Sequence, residues 1–333
     1  DMSHPITASE LGTLWITYQQ STMTLRMLEY FMAKSEDETA RSIMNRFHGQ
    51  EKQSVETVKT LFRNEGAALP VGFVPEDVNP AAPRLYDHGF DILFLRLYTE
   101  IGMGIHTLNI GMAYREDIVN FYKDLTAANQ ECYNACTQYL LGRGFLSRSP
   151  YVTMPRSAEF VERTTYLGGI TPFSPKRTLN TVELAHLYHA MESNTVGMQM
   201  ILGFAQCARS DEVRKYMREG AELAKNFIGQ LGDLLIQSNV QAPSVPGGTV
   251  TRSTAAPFSD KLMMYCVSLL CTFSIGGNSL GTAFSLRNDL PAKITVFLKD
   301  IFEYAHKGAK LMIRHGWMEE PPQVEERNEL IGV

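Results

Sequence analysis

The sequence has little that assigns a chemistry at once. It contains no phosphate-binding loop, no nucleophile elbow and no nucleic-acid motif. Its five cysteines, Cys132, Cys136, Cys207, Cys266 and Cys271, form no CxxC pair and are odd in number. They fall in apolar helical stretches, which predicts buried free thiols in a reducing compartment rather than a disulfide framework. Charge of one sign is also scarce: 31 Lys and Arg stand against 36 Asp and Glu, a formal net charge of −5 over 333 residues. That balance offers no basic surface to nucleic acid or anionic membrane, and neither is expected as a partner. The N-terminus, DMSHPITASELG, has neither the basic nor the apolar region of a signal peptide, so the expected location is cytoplasmic. No uninterrupted apolar run reaches spanning length. The glycine-rich segment 262–286 comes nearest, but Ser268, Thr272, Ser274, Asn278 and Ser279 interrupt it, and it reads as a buried helix.

What the sequence does have is a repeat. A shift of 173 residues lays TASEL at 7–11 on NTVEL at 180–184. Both are capping boxes, with Thr7 or Asn180 as N-cap and Glu10 or Glu183 reaching back. Under the same shift Ala40, Ile43, Met44, Val55, Val58, Leu61 and Phe62 fall on Val213, Tyr216, Met217, Ile228, Leu231, Leu234 and Leu235. A shift of 172 aligns YREDI at 114–118 with LRNDL at 286–290, and GFL at 144–146 with GWM at 316–318. The chain is therefore two tandem units, 1–165 and 166–333, joined near 147–179.

Apolar residues at spacings of three, four and seven predict four helices per unit. The spans are 7–34, 37–65, 88–113 and 116–143, then 180–207, 211–238, 259–286 and 289–315. Between the second and third helix each unit carries a long proline-rich link, 68–87 and 242–260. A link that long has to run along a bundle, which is the one-crossover layout of ferritin-like proteins. The fold class is all-α, two tandem ferritin-like four-helix bundles. Phe31 and Leu95, apolar but off the inward stripes, are expected to pack the bundles together.

The runs VTRSTAAPFSDKLMM at 250–264, LPVGF at 69–73, DVNPAAP at 77–83 and GWMEEPP at 316–322 resemble the bacterial family called domain of unknown function 3231. So do the paired Arg-x-Asp starts at Arg115 and Arg287. The similarity covers nearly the whole chain. It implies tandem ferritin-like bundles, mainly in spore-forming Gram-positive bacteria, and no defined activity. Related small ferritin-like proteins include spore-coat proteins, which implies a spore-coat component as an alternative role.

Helical phase selects the candidate site. ELAHLYHAME at 183–192 spaces Glu183, His186, His189 and Glu192 as a bundle metal site would, but the stripe of Leu184, Leu187, Met191 and Met198 turns both histidines away. They are expected on a solvated or interdomain face, with Glu183 explained as a cap. In the first unit Glu29, Glu51 and Glu100 interrupt apolar stripes, with His48 one turn before Glu51. Their counterparts Leu202, Ala224, Thr272 and Ala221 are bland. Buried carboxylates must be protonated, paired or metal-bound, so Glu29, His48, Glu51 and Glu100 form a candidate site for Fe, Mn or Zn. Against it, no Glu-x-x-His stands on the second or fourth helix, as a dinuclear site requires. A relic site closed by Arg96 or Lys52 fits the same residues. The fourth helix should present Asn129, Cys132 and Cys136 inward and Glu131 outward.

Two functions follow as expectations. One is a metal-binding, oxidase-like protein built on the first bundle. The other is a structural or interaction protein, a homo-oligomer or spore-coat component with an inert core. Glycines 102, 104 and 111, echoed by 276, 277 and 281, are expected to permit close helix packing, with an apolar ligand cavity in the second unit as the alternative.

Overall fold

Thr7 and Asn180 open equivalent helices by the same device. The Thr7 hydroxyl accepts from Glu10 N–H at 3.2 Å while Glu10 accepts from Thr7 N–H at 2.9 Å. Asn180 and Glu183 repeat the exchange at 2.8 and 3.0 Å. Both caps satisfy donors that a helix start leaves orphaned. The computed structural model describes residues 4–87, 89–243 and 249–333. Its first unit is α1 (Ala8–Lys34), α2 (Glu38–Glu65), α3 (Phe90–Ile110) and α4 (Glu116–Gly142). The second is α5 (Thr181–Cys207), α6 (Asp211–Gln237), α7 (Asp260–Phe284) and α8 (Asp289–Arg314), followed by the short α9 (Arg327–Leu330). The chain is thus all-helical, with tandem four-helix units and a long crossover between the second and third helix of each. Gly66 ends α2 in the left-handed region at φ 68°, where a side chain would be strained.

Hairpins α1–α2, α3–α4, α5–α6 and α7–α8 form the pairs, and α2 against α4 and α5 against α7 assemble them into bundles. By length and composition α7 is long and apolar enough to cross a membrane; here it is a bundle helix packed on α5 and α8. The five cysteines are free and buried.

The crossovers do more than run along their own bundles. They meet antiparallel, with isolated bridges at Val78–Phe258 and Tyr86–Val250. Backbone hydrogen bonds alternate across them: Asn79 N–H to Pro257 O at 2.7 Å, Ser259 N–H to Asp77 O at 2.9 Å, Asp87 N–H to Thr249 O at 2.8 Å and Thr251 N–H to Leu85 O at 2.9 Å. Phe258 is thereby carried into the junction, 5.3 Å from Tyr30, 6.1 Å from Phe31 and 6.3 Å from Phe204 between ring centroids. Phe31 is buried there, as expected of a residue that joins the bundles, and Leu95 is buried on α3. One hydrophobic cluster runs from Met23 and Phe31 through Phe258 to Leu311. The core therefore crosses the unit boundary.

Recurrence of the Arg-x-Asp pairs at two helix starts predicts a cap plus an arginine that fixes the crossover loop, but the pairs hold a different joint. Arg115 forks onto Asp117 at 2.7 and 2.9 Å and donates to His4 O and Glu65; Arg287 forks onto Asp289 at 2.7 and 3.0 Å and donates to Arg177 O. Each arginine fixes the lead-in to the first helix of its unit, not the crossover. Glu10 accepts from Tyr114 and Arg115 N–H, and Glu183 from Leu286 and Arg287 N–H. The capping carboxylate thus ties the start of one helix to the turn between two others.

Candidate metal site and the contact between the bundles

The four expected ligands lie on three helices and do not converge. Glu29, on α1, is half-buried and pairs with Arg26 one turn earlier. His48, on α2, brings Nε2 to 3.6 Å from Glu29 Oε1, too long for a hydrogen bond. Glu51 is buried as its place in the α2 stripe requires, but its Oε2 has no partner. Burial pushes its carboxyl up to about 7, a hydrogen bond from Ser21 offsetting only part of the effect. Glu100, on α3, turns out of its bundle and bonds His189 of α5. Among the described residues no three of His, Cys, Asp and Glu are placed to hold a metal. Of the four, Glu29 and His48 stand next to each other.

The reason lies in the number of buried faces. A phase argument assumes one inward stripe per helix, yet residues 17–25 of α1 are all buried, and α3 is buried on several sides. Glu100 was placed inward because nothing in an all-apolar helix distinguishes its own bundle from the neighbouring one. On the amphipathic helices the same reasoning holds: Asn129, Cys132 and Cys136 are buried, and Glu131 is exposed, reaching Arg46 at 3.3 Å.

The contact between α3 and α5 gathers the charges that the sequence had separated. Arg96 pairs with Glu192 and donates to Thr137 Oγ1 and the Tyr133 hydroxyl, each at 2.8 Å, with its guanidinium 4.8 Å from the Tyr133 ring centre. One turn on, Glu100 bonds His189, and that bond holds the imidazole above its ordinary pKa. His189 is thus the interdomain residue expected. His186 is not on that face; its ring stacks on Phe284 of its own unit at 5.7 Å, and it touches the space beside Gly281. Lys52 is exposed and closes nothing.

Sequence phase missed His106. It is buried on α3, stacked on Tyr122 at 6.0 Å with Nδ1 unpartnered, and burial holds it down at about 4, so the ring is neutral. Beside it, Gly102 is a close approach: a Cβ there would collide with Asn129 Oδ1, itself without a hydrogen-bond partner. The first bundle therefore has a polar interior of Ser21, Glu51, His106 and Asn129 that is only partly satisfied. One signal was available, since the repeat counterpart of His106 is another polar residue, Asn278.

These features define a tandem helical-bundle protein whose two halves share a core and whose interface carries the Arg96–Glu192 and Glu100–His189 pairs. The chain belongs to the family described as a protein of unknown function (DUF3231), whose model matches residues 2–157 and again 168–330. No curated protein matches it. A solved structure with a provisional spore-coat assignment, from Bacillus halodurans C-125, is similar at 18% identity and a TM-score of 0.42, over 45% of this chain and 98% of that one.

Proposed function

We propose that the chain is a non-catalytic structural or interaction protein, in the spore-coat setting that its sequence resemblance implies. The observation that carries this reading is the engagement of Glu100 and Arg96 with His189 and Glu192. Side chains that a bundle metal site would need are here committed to holding one bundle against the other. Charges fixed this way favour a defined relative orientation, which is what a building block needs and an independent catalytic bundle does not.

A second reading keeps a metal in the first bundle, because Glu51 Oε2 and His48 Nε2 are buried without partners and Glu29 stands beside His48. These three would hold Fe, Mn or Zn, with Glu100 outside the set. Elemental analysis separates the two readings. Untagged protein reconstituted with each metal is expected to retain less than about a tenth of an equivalent, since a site with fewer than three converging ligands binds weakly. Stoichiometric metal in the wild type that disappears in Glu51→Ala would establish the second reading and remove the first.

A further inference from the structure

The repeat allows the same level of the two bundles to be compared residue by residue. In the first bundle that level is filled: Thr24, Glu51, Ile105 and His106 occupy it, and Thr24, Glu51 and His106 are buried. In the second bundle their counterparts are Gly197, Ala224, Gly277 and Asn278. Three of the four have lost most or all of their side chain, and a cavity of ≈ 90 Å³ stands between α5, α6, α7 and α8.

These glycines are not packing devices. A Cβ built on Gly197 or Gly277 meets nothing within 4 Å. Both residues line the cavity, with Leu223, Val267, Phe297 and Ile301 among its apolar walls. Solvent reaches it from the α5 side, where Ala190, Ser193, Asn194, Gly197 and Met198 are half-buried although their counterparts in α1 are all buried. Cavities waste dispersion contacts, and glycine inside a helix is itself destabilising. Both costs fall on one place in this fold.

An independent feature points to what fills it. Asn278 lines the cavity and is only 7% exposed. Its amide nitrogen donates to Ser274 O at 2.8 Å and Ser274 Oγ at 3.1 Å, which fixes the orientation of the group, since a flipped amide would set oxygen against oxygen. No donor among the described residues reaches Oδ1. The oxygen is not sealed from solvent, and an open acceptor at the wall of an apolar space can take a hydrogen bond from whatever enters it.

We propose that this cavity is a binding site for a small apolar molecule bearing one hydroxyl group, held by the hydrocarbon walls and donating its O–H to Asn278 Oδ1. The size limit is about one ring or a short alkyl chain, since a dry apolar cavity of about 150 Å³ takes up benzene and this one is smaller but open to solvent. Ordinary small-molecule sites share this make-up of mostly apolar walls with a few placed polar groups; Ser193, Asn194 and Ser274 line this one beside Asn278.

Phenol is the probe, with toluene as its match lacking the donor, titrated calorimetrically into the full-length protein. Saturable one-to-one uptake of phenol is expected. Gly277→Leu and Ala224→Leu each project a side chain into the empty space and should abolish uptake while retaining wild-type helix content and melting temperature. If one of them fails to fold, the other decides. Asn278→Leu should weaken phenol about tenfold and leave toluene unchanged, because a site built around a hydrogen bond discriminates only while the acceptor is present. Absence of saturable uptake by the wild type, or uptake that persists in a folded variant with the cavity filled, overturns the proposal. Equal affinity of the wild type for phenol and toluene overturns the role of Asn278.

Discussion

At Glu51 a carboxyl group sits in the first bundle with one oxygen unpartnered and no cation facing it. Such a group is more stable protonated, and its raised value of about 7 states the consequence. Because the folded value lies above the ordinary 4.5, its contribution is fully present below pH 4.5 and is lost as pH rises through 7. Glu51→Gln removes the titration while keeping the shape. The stability of the wild type relative to Glu51→Gln should fall by about 3 kcal/mol between pH 4.5 and 7.5, read from urea unfolding midpoints at each pH. His106 works in the opposite sense, since its depressed value of about 4 withdraws stability as the pH falls from 6.5. The difference between wild type and variant isolates the glutamate. A flat difference would mean that Glu51 is ionised in the fold, as a bound cation would make it. Glu51 and Asn129 were legible because α2 and α4 each have one buried face. Glu100 points to the other bundle because α3 is buried on several sides, and a helical wheel carries no mark of which side belongs to which bundle.

At the scale of single elements, the strongest sequence signal was the capping box. It located the starts of α1 and α5 because the residue types that satisfy orphaned N–H groups are few and their spacing is fixed. The structure adds a partner that spacing could not show. Glu10 and Glu183 each also receive two backbone N–H groups from the turn leading into α4 or α8. Glu183 is further gripped by Arg177 at 2.8 and 3.0 Å. Burial works against the charge on Glu183, but the Arg177 fork and the Arg287 and Asn180 N–H groups outweigh it and bring the carboxyl down to about 2. Its contribution is therefore present above pH 4.5 and fades only as the pH falls toward 2. Glu183→Ala leaves the guanidinium and the turn unsatisfied and should cost about 3 kcal/mol, beyond the roughly 1 kcal/mol of an ordinary cap. Glu10→Ala, which lacks the arginine fork, should cost less. Thermal unfolding of the two variants side by side checks the order. Equal losses would reduce both glutamates to simple caps. The ELAHLYHAME stretch is thus structural at its first residue and interfacial at His189 and Glu192.

For the molecule as a whole, the two-unit organisation was plain from the repeat, but the way the units meet was not. Pairing between the crossovers depends on backbone groups of two proline-rich segments some 170 residues apart. Side-chain patterning says nothing about such bonds, and irregular segments have no periodicity to read. Joined crossovers, a core that passes through Phe258 and the charged pairs of α3 and α5 make the second unit part of the first unit's interior. The segment 148–165, by contrast, is exposed throughout. Exposed connecting chain of this kind is where proteases cut first, and Arg148, Arg156 and Arg163 offer trypsin three sites in it. Limited digestion should therefore sever the chain at those arginines well before any helix is attacked. The two fragments should still elute together at the volume of the intact protein and separate only in denaturant. They should also melt in one transition, because neither half can keep Phe31 or Phe258 from water without the other. Fragments that part in native buffer would show instead that each bundle closes its own core, and that the contacts between Phe31 and Phe258 and between Arg96 and Glu192 add little to holding the halves together.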